Sequence, residues 1–158
     1  MLANTRFVVD TNVLIDYLAR REPFNAKAEL LMALGCINEF ELWIGTSQIT
    51  DLIYVITDGG KPSLAEYAQE TMHTLKRMLH VYATDAEDYD NVARCSLEDL
   101  EDAFVFQTAL KVNADAIITR DKSGFIRSSV KVFSCDELFE RLAREQGIDY
   151  VEISGVFD

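Results

Sequence analysis

Residues Phe7–Leu18 read FVVDTNVLIDYL: three apolar residues, a carboxylate, two small polar residues, then a helical pattern. A short β-branched run that gives way to helical spacing reads as a strand feeding a helix. Asp10 stands at the junction. A carboxylate there has two explanations. It caps the free N–H groups of the helix that follows, or it opens a metal site whose other members lie further along the chain.

The same alternation continues outward. Strands are expected at Arg6–Val9, Glu41–Gly45, His80–Ala83, Ala116–Thr119 and Lys131–Phe133, with helices at Thr11–Arg20, Asn25–Ile37, Ser47–Thr57, Ser63–Leu79, Ala86–Arg94, Asp99–Val112 and Cys135–Gln146. Strands alternating with helices require right-handed crossovers and a parallel sheet covered on both faces, so the fold class is α/β. DGGKPS at 58–63 reads as a turn between two helices, not as a domain boundary. A length of 158 residues suits one domain over 1–158, with 151–158 as a late strand or a frayed end.

Composition narrows the setting. Apolar residues make up 49% of the chain, with only 7 Gly and 2 Pro, which excludes a disordered or fibrous protein. No apolar stretch reaches the ~18 residues that would span a bilayer, and the first residues do not show a positively charged region followed by an apolar run, so no secretion signal is expected. Cys36, Cys95 and Cys135 are too widely spaced for a C-x-x-C motif and are expected as free thiols. The protein is therefore expected to be cytoplasmic, with no membrane association. A net charge of −12, from 27 acids and 15 bases, opposes general attraction to nucleic acid. The charge is uneven, however. Residues 85–102 carry eight acids and one base, whereas Lys111, Arg120, Lys122, Arg127 and Lys131 between 111 and 131 face only Asp115 and Asp121.

In open parallel sheets, ligands bind beyond the carboxyl ends of the strands. Asp10 ends the first strand, and Asp121 follows the fourth in AIITRDKSGF, after Thr119. Two more acids lie near the starts of helices that follow such strands. Asp51 shares a stripe with Ser47 and Asp58 in TSQITDLIYVI, and Asp102 precedes a strongly apolar helix in SLEDLEDAFVFQTAL. Each has an ordinary explanation: Asp10 as a helix cap, Asp51 as a polar edge, Asp99 and Asp102 as favourable charges at a helix start, and Asp121 as a turn residue. Their joint placement near one sheet edge favours a site.

The order FVVDTNVLIDYL, then SQITDLIYV, then DLEDAFVFQTAL followed by ADAIITRDKSGF resembles the PIN-domain nucleases, which include the toxins of VapC-type toxin–antitoxin modules. The likeness runs from Arg6 to about Leu142. It implies a three-layer α/β/α fold with a parallel sheet of about five strands in the order 3-2-1-4-5. Carried over residue by residue, Asp10, Asp51, Asp102 and Asp121 match an acidic quartet that holds Mg²⁺ or Mn²⁺, supported by Asn12, Thr119 and Asp99. The family usually has glutamate at the second position, and Asp51 is one methylene shorter. The implied activity is that of an endoribonuclease leaving a 5′-phosphate and a 3′-hydroxyl. A cognate antitoxin and a homodimer are implied as partners.

The residues fit this chemistry by themselves. Two carboxylates ~4 Å apart repel by about 4 kcal/mol at an effective dielectric of about 20, so a cluster of them needs protons or a cation. Hard divalent ions prefer oxygen, and the two histidines, His73 and His80, sit at no relevant strand end, which argues against zinc. Arg120, Lys122 and Arg127 are the residues expected to grip an RNA backbone. Three rivals remain: a PIN-like scaffold that binds without cleaving, a haloacid-dehalogenase-type phosphatase, and a purely structural role for the acids. The phosphatase wants a second aspartate two residues after the first, where this chain has Asn12.

Overall fold

Arg6–Val9 form β1, the centre of the sheet, in a computed structural model that describes residues 4–150. Along the chain follow α1 (Thr11–Leu18), α2 (Asn25–Cys36), β2 (Glu41–Gly45), α3 (Thr46–Ile56), α4 (Ala65–Leu75), β3 (His80–Tyr82), α5 (Ala86–Arg94), α6 (Leu100–Lys111), β4 (Ala116–Ile118), β5 (Lys131–Phe133) and α7 (Cys135–Gln146). The five strands are all parallel, in the order β3-β2-β1-β4-β5, as the resemblance implies. Helices cover both faces, giving three layers.

The strand period of two explains the layers. Phe7 and Val9 point to one face, with Leu42, Ile44, Ala116 and Ile118, against Leu14 of α1, Leu31 and Leu34 of α2, and Leu138 of α7. Val8 and Ile117 point to the other, against Val105 and Ala109 of α6. Full burial of a side chain such as Leu14 or Leu31 contributes about 1.5–3 kcal/mol. The apolar character of α6 follows from its place over the middle of the sheet.

Several boundaries differ from the expected ones. α1 ends at Leu18, because Arg20 turns into the left-handed region at φ 49°. The helix expected over Ser63–Leu79 is shorter: a 3-10 turn at Pro62–Leu64 precedes α4, and the N–H groups of Arg77 and Met78 tighten the end onto Thr74 and Leu75. β3 and β4 each stop one residue early. Thr119 still donates its N–H to Phe133 at 2.9 Å, so the ladder outlasts β4. Cys36, Cys95 and Cys135 are half-buried free thiols. The tail at 151–158 lies outside the described residues.

Candidate active site

β1 and β4 are neighbours, so Asp10 and Thr119 emerge side by side at the carboxyl edge of the sheet. The Asp10 N–H continues the pairing by donating to Ile118 at 2.9 Å. Asp10 occupies the N-cap position of α1, yet its side chain makes no capping hydrogen bond. The Asp10 carboxylate instead accepts at Oδ2 from Thr119 Oγ1 and from Asn12 Nδ2, both at 2.7 Å. Asn12 Oδ1 accepts from the Arg120 N–H at 3.1 Å, and Thr119 Oγ1 accepts from the Asp121 N–H at 3.1 Å. Asp10, Asn12 and Thr119 therefore lock the ends of two strands together around one buried carboxylate. Burial pushes the Asp10 carboxyl up, the hydrogen bonds from Thr119 and the Thr11 backbone oppose this, and the charges of Asp121 and Asp99 add to the rise.

α3 brings the second acid. Gln48 is buried and ties the helix to the strand ends, accepting from the Gly45 N–H at 2.9 Å and donating to the Val9 carbonyl at 2.8 Å. One turn later, exposed Asp51 lines a recess of about 530 Å³ together with Asp10, Glu101 and Asp102. The Ser47 hydroxyl, in the same recess, is buried and has no hydrogen-bond partner.

α6 brings the third. Asp99 is its N-cap, accepting from the N–H groups of Glu101 at 2.9 Å and Asp102 at 3.2 Å. Its carboxylate is thus a structural cap and also a charge at the site. Asp102 is half-buried, and its carboxyl is pushed up to about 7, first by burial and then by the charges of Asp10, Asp99, Asp121 and Glu101. Glu101 is also raised, mainly by Asp51. Sequence reading passed over Glu101; the acidic run itself was its only signal. Asp121 lies in a second recess of about 480 Å³ that shares Asp102 with the first. Hydrogen bonds from Ser123 hold the Asp121 carboxyl below its ordinary range.

The three expected substrate cations are all engaged within the protein. Arg120 Nη1 meets buried Asp16 Oδ1 at 2.8 Å and its guanidinium stacks over Phe24 at 4.9 Å. Lys122 Nζ pairs with Glu137 Oε1 at 2.6 Å, and Arg127 Nη1 donates to the Ser96 carbonyl at 3.1 Å. Arg120 still lines the first recess and Arg127 the second. Exposed Arg21, just beyond α1, also lines the first recess; nothing in its local sequence marks it.

The donor set consists of carboxylate oxygens, which suit Mg²⁺ or Mn²⁺. Among the described residues, no three His, Cys, Asp or Glu side chains converge closely enough to hold a metal ion by themselves. Mg²⁺ commonly takes one or two carboxylates and keeps several waters. Asp10 and Asp102, which line one recess with the unpartnered Ser47 hydroxyl, fit that pattern better than a closed cage of four acids.

A PIN-domain family model matches residues 6–123. Similar solved structures include VapBC2 from Rickettsia felis bound to a promoter DNA fragment, with 15% identity over 82% of this chain and 98% of that one, and a TM-score of 0.59. FitAcB from Neisseria gonorrhoeae aligns with a TM-score of 0.60 at 15% identity, covering 82% and 97% of the two chains. DNA-bound VapBC from Salmonella typhimurium gives 0.57 at 14%, covering 83% and 98%. These likenesses show a shared fold. No curated protein matches the chain. Among the described residues, no helix is long and apolar enough to cross a membrane.

Proposed function

The chain belongs to the PIN-domain family, and we propose that it is a divalent-cation-dependent endoribonuclease that serves as the toxin of a toxin–antitoxin pair. The observation that carries this reading is the meeting of Asp10, fixed by Asn12 and Thr119, with Asp102 at the carboxyl edge of the sheet. Asp10 and Asp102 would hold Mg²⁺ or Mn²⁺, with Asp51 lining the same recess and Asp121 the one that shares Asp102 with it. When bound, the cation lowers the pKa of water and screens the charge of a phosphodiester. Asp51 and Asp121 orient the attacking water by accepting its hydrogen bonds, and Asp99 holds the N-terminus of α6 so that Asp102 stays at the edge. Water oxygen bonds to phosphorus as the bond to the 3′ oxygen breaks, the proton shed by the water going to solvent and the 3′ oxygen taking one up from it, which leaves a 5′-phosphate and a 3′-hydroxyl.

Arg21, Arg120 and Arg127 border the two recesses and offset the acidic surface for the RNA backbone. Lys122, tied to Glu137, acts by fixing the loop after β4 to α7. The toxin role draws on the VapC-type resemblance and on the fold shared with chains of VapBC and FitAcB. It carries a separately encoded antitoxin, a homodimer, a single domain and a cytoplasmic setting with it. The test is cleavage of an end-labelled single-stranded RNA by wild type, Asp10→Asn and Asp102→Asn, with Mn²⁺ and with EDTA. Cleavage only by wild type and only with Mn²⁺ supports the reading; cleavage in EDTA, or by Asp10→Asn at the wild-type rate, overturns it. A module that binds RNA without cutting it is the second reading, favoured by the absence of three converging ligands among the described residues. Mn²⁺-independent RNA binding with no product would establish it.

A further inference from the structure

Gly124 lies in a 3-10 turn, Ser123–Phe125, just after Asp121. A Cβ placed on it would stand 1.6 Å from Asp102 Oδ2, 2.7 Å from its Cγ and 3.2 Å from its Cβ. No side chain fits at 124 while the Asp102 carboxylate keeps its place. The backbone does not ask for glycine here: the left-handed glycines are Gly59, Gly60 and Gly147. Room for Asp102 is the requirement.

Neither main chain is placed to give way. The Asp102 N–H is held by Asp99 Oδ1, and the next turn of α6 is anchored by buried Ala103 and Val105. On the other side, Phe125 is 3% exposed, sunk into the cluster of Val8, Val105 and Ile117. The Ser123 N–H donates to Asp121 Oδ1 at 2.9 Å, and the Phe125 N–H to the Lys122 carbonyl at 3.0 Å. What can move is the carboxyl end of Asp102, by rotation about χ1, at a cost far below that of unpacking Phe125.

We infer that Gly124 is a positioning residue for Asp102, its missing side chain being the space that keeps the carboxylate between the two recesses. The inference rests on the reading of Asp102 as a cation ligand. It assigns a role in metal affinity to a residue that has no donor atom in its side chain.

The experiment uses the full chain as wild type, Gly124→Ala, Asp102→Ala and the double variant, with Mn²⁺ titration followed by the EPR signal of the free ion and thermal unfolding in EDTA. Gly124→Ala is expected to weaken Mn²⁺ binding by roughly 10- to 100-fold, the range typical of residues that orient a ligand. In the Asp102→Ala background the same change should weaken it no further, and its effect on unfolding in EDTA should differ from that in wild type, because the two residues are coupled. Unchanged or tighter Mn²⁺ binding by Gly124→Ala overturns the inference, as do equal effects on unfolding in both backgrounds. If Gly124→Ala fails to fold, recovery of folding in the double variant supports the coupling and continued failure overturns it. A wild type that binds no Mn²⁺ removes the metal reading, and the EDTA comparison then decides the inference alone.

Discussion

Thr119 donates a 2.7 Å hydrogen bond to Asp10 across the ends of two adjacent parallel strands, and both side chains are buried. The pair joins the fold to the candidate site, because the contact that closes the sheet edge also fixes the orientation of the Asp10 carboxylate. Thr119→Val keeps the shape and removes the donor. It is expected to destabilise the protein by about 1–3 kcal/mol at neutral pH, since Asp10 loses a partner while staying buried. Urea denaturation reads this. Asp10→Asn/Thr119→Val should lose less than the sum of the single changes.

The Asp102 carboxyl, pushed up to about 7 from an ordinary 3.8, makes the metal-free protein sensitive to pH. Its proton is bound more tightly in the folded state, so folding stability falls as pH rises from the unfolded value through the folded one. In EDTA the melting temperature should therefore drop between about pH 5 and about pH 8, and Asp102→Asn should flatten the drop. Asp10 and Glu101 are raised too and act in the same direction. Asp121 and Glu137 are lowered; their contribution is lost only at more acid pH. A melting temperature that climbs through this window would contradict the assignment.

Arg120 neutralises buried Asp16, a structural duty separate from any contact with RNA. Arg120→Met leaves that charge unpaired and is expected to cost about 3 kcal/mol by chemical denaturation. Arg120→Met/Asp16→Asn should recover most of the loss. If the restored double variant still shows a raised KM for RNA, Arg120 also meets substrate; a wild-type KM would confine it to the structural role.

The resemblance matches Asp51 to a position where the family usually has glutamate, and Glu101 crowds it with a second charge. Asp51→Glu adds the missing methylene and is expected to raise the cleavage rate by roughly tenfold, because ångström-scale placement controls such chemistry. Single-turnover rates at saturating Mn²⁺ measure this, and a fall in rate would show that the shorter side chain is the one this recess accommodates.

The strand–helix switch at Asp10 was legible because the change from apolar run to helical spacing is local, and the resemblance implied the strand order that the sheet adopts. Asn12 and Thr119 were named through the resemblance, and they lie three residues past β1 and one past β4. Glu101 was not, since adjacent helix positions point apart and only the arrangement of α3 beside α6 brings it to Asp51. Arg21 lies in the short connection between α1 and α2, and its place on the recess is set by where α3 and α6 come to lie. The partners of Arg120, Lys122 and Arg127 come from α1, α7 and the segment before α6, at separations no local pattern encodes. Gly124 was not singled out by the sequence, because its meaning is a steric relation to a side chain on another element.

Thermal unfolding of wild type, Asp10→Asn and Asp102→Asn, each with EDTA and with millimolar Mn²⁺, tests the central claim most directly, because a ligand that binds only the folded state stabilises it by mass action. At a Mn²⁺ concentration of about 100 times Kd, wild type should gain about 2.7 kcal/mol, and both variants should lose most of that gain. No rise in wild type, or an equal rise in Asp10→Asn, would contradict a cation site built on these two carboxylates.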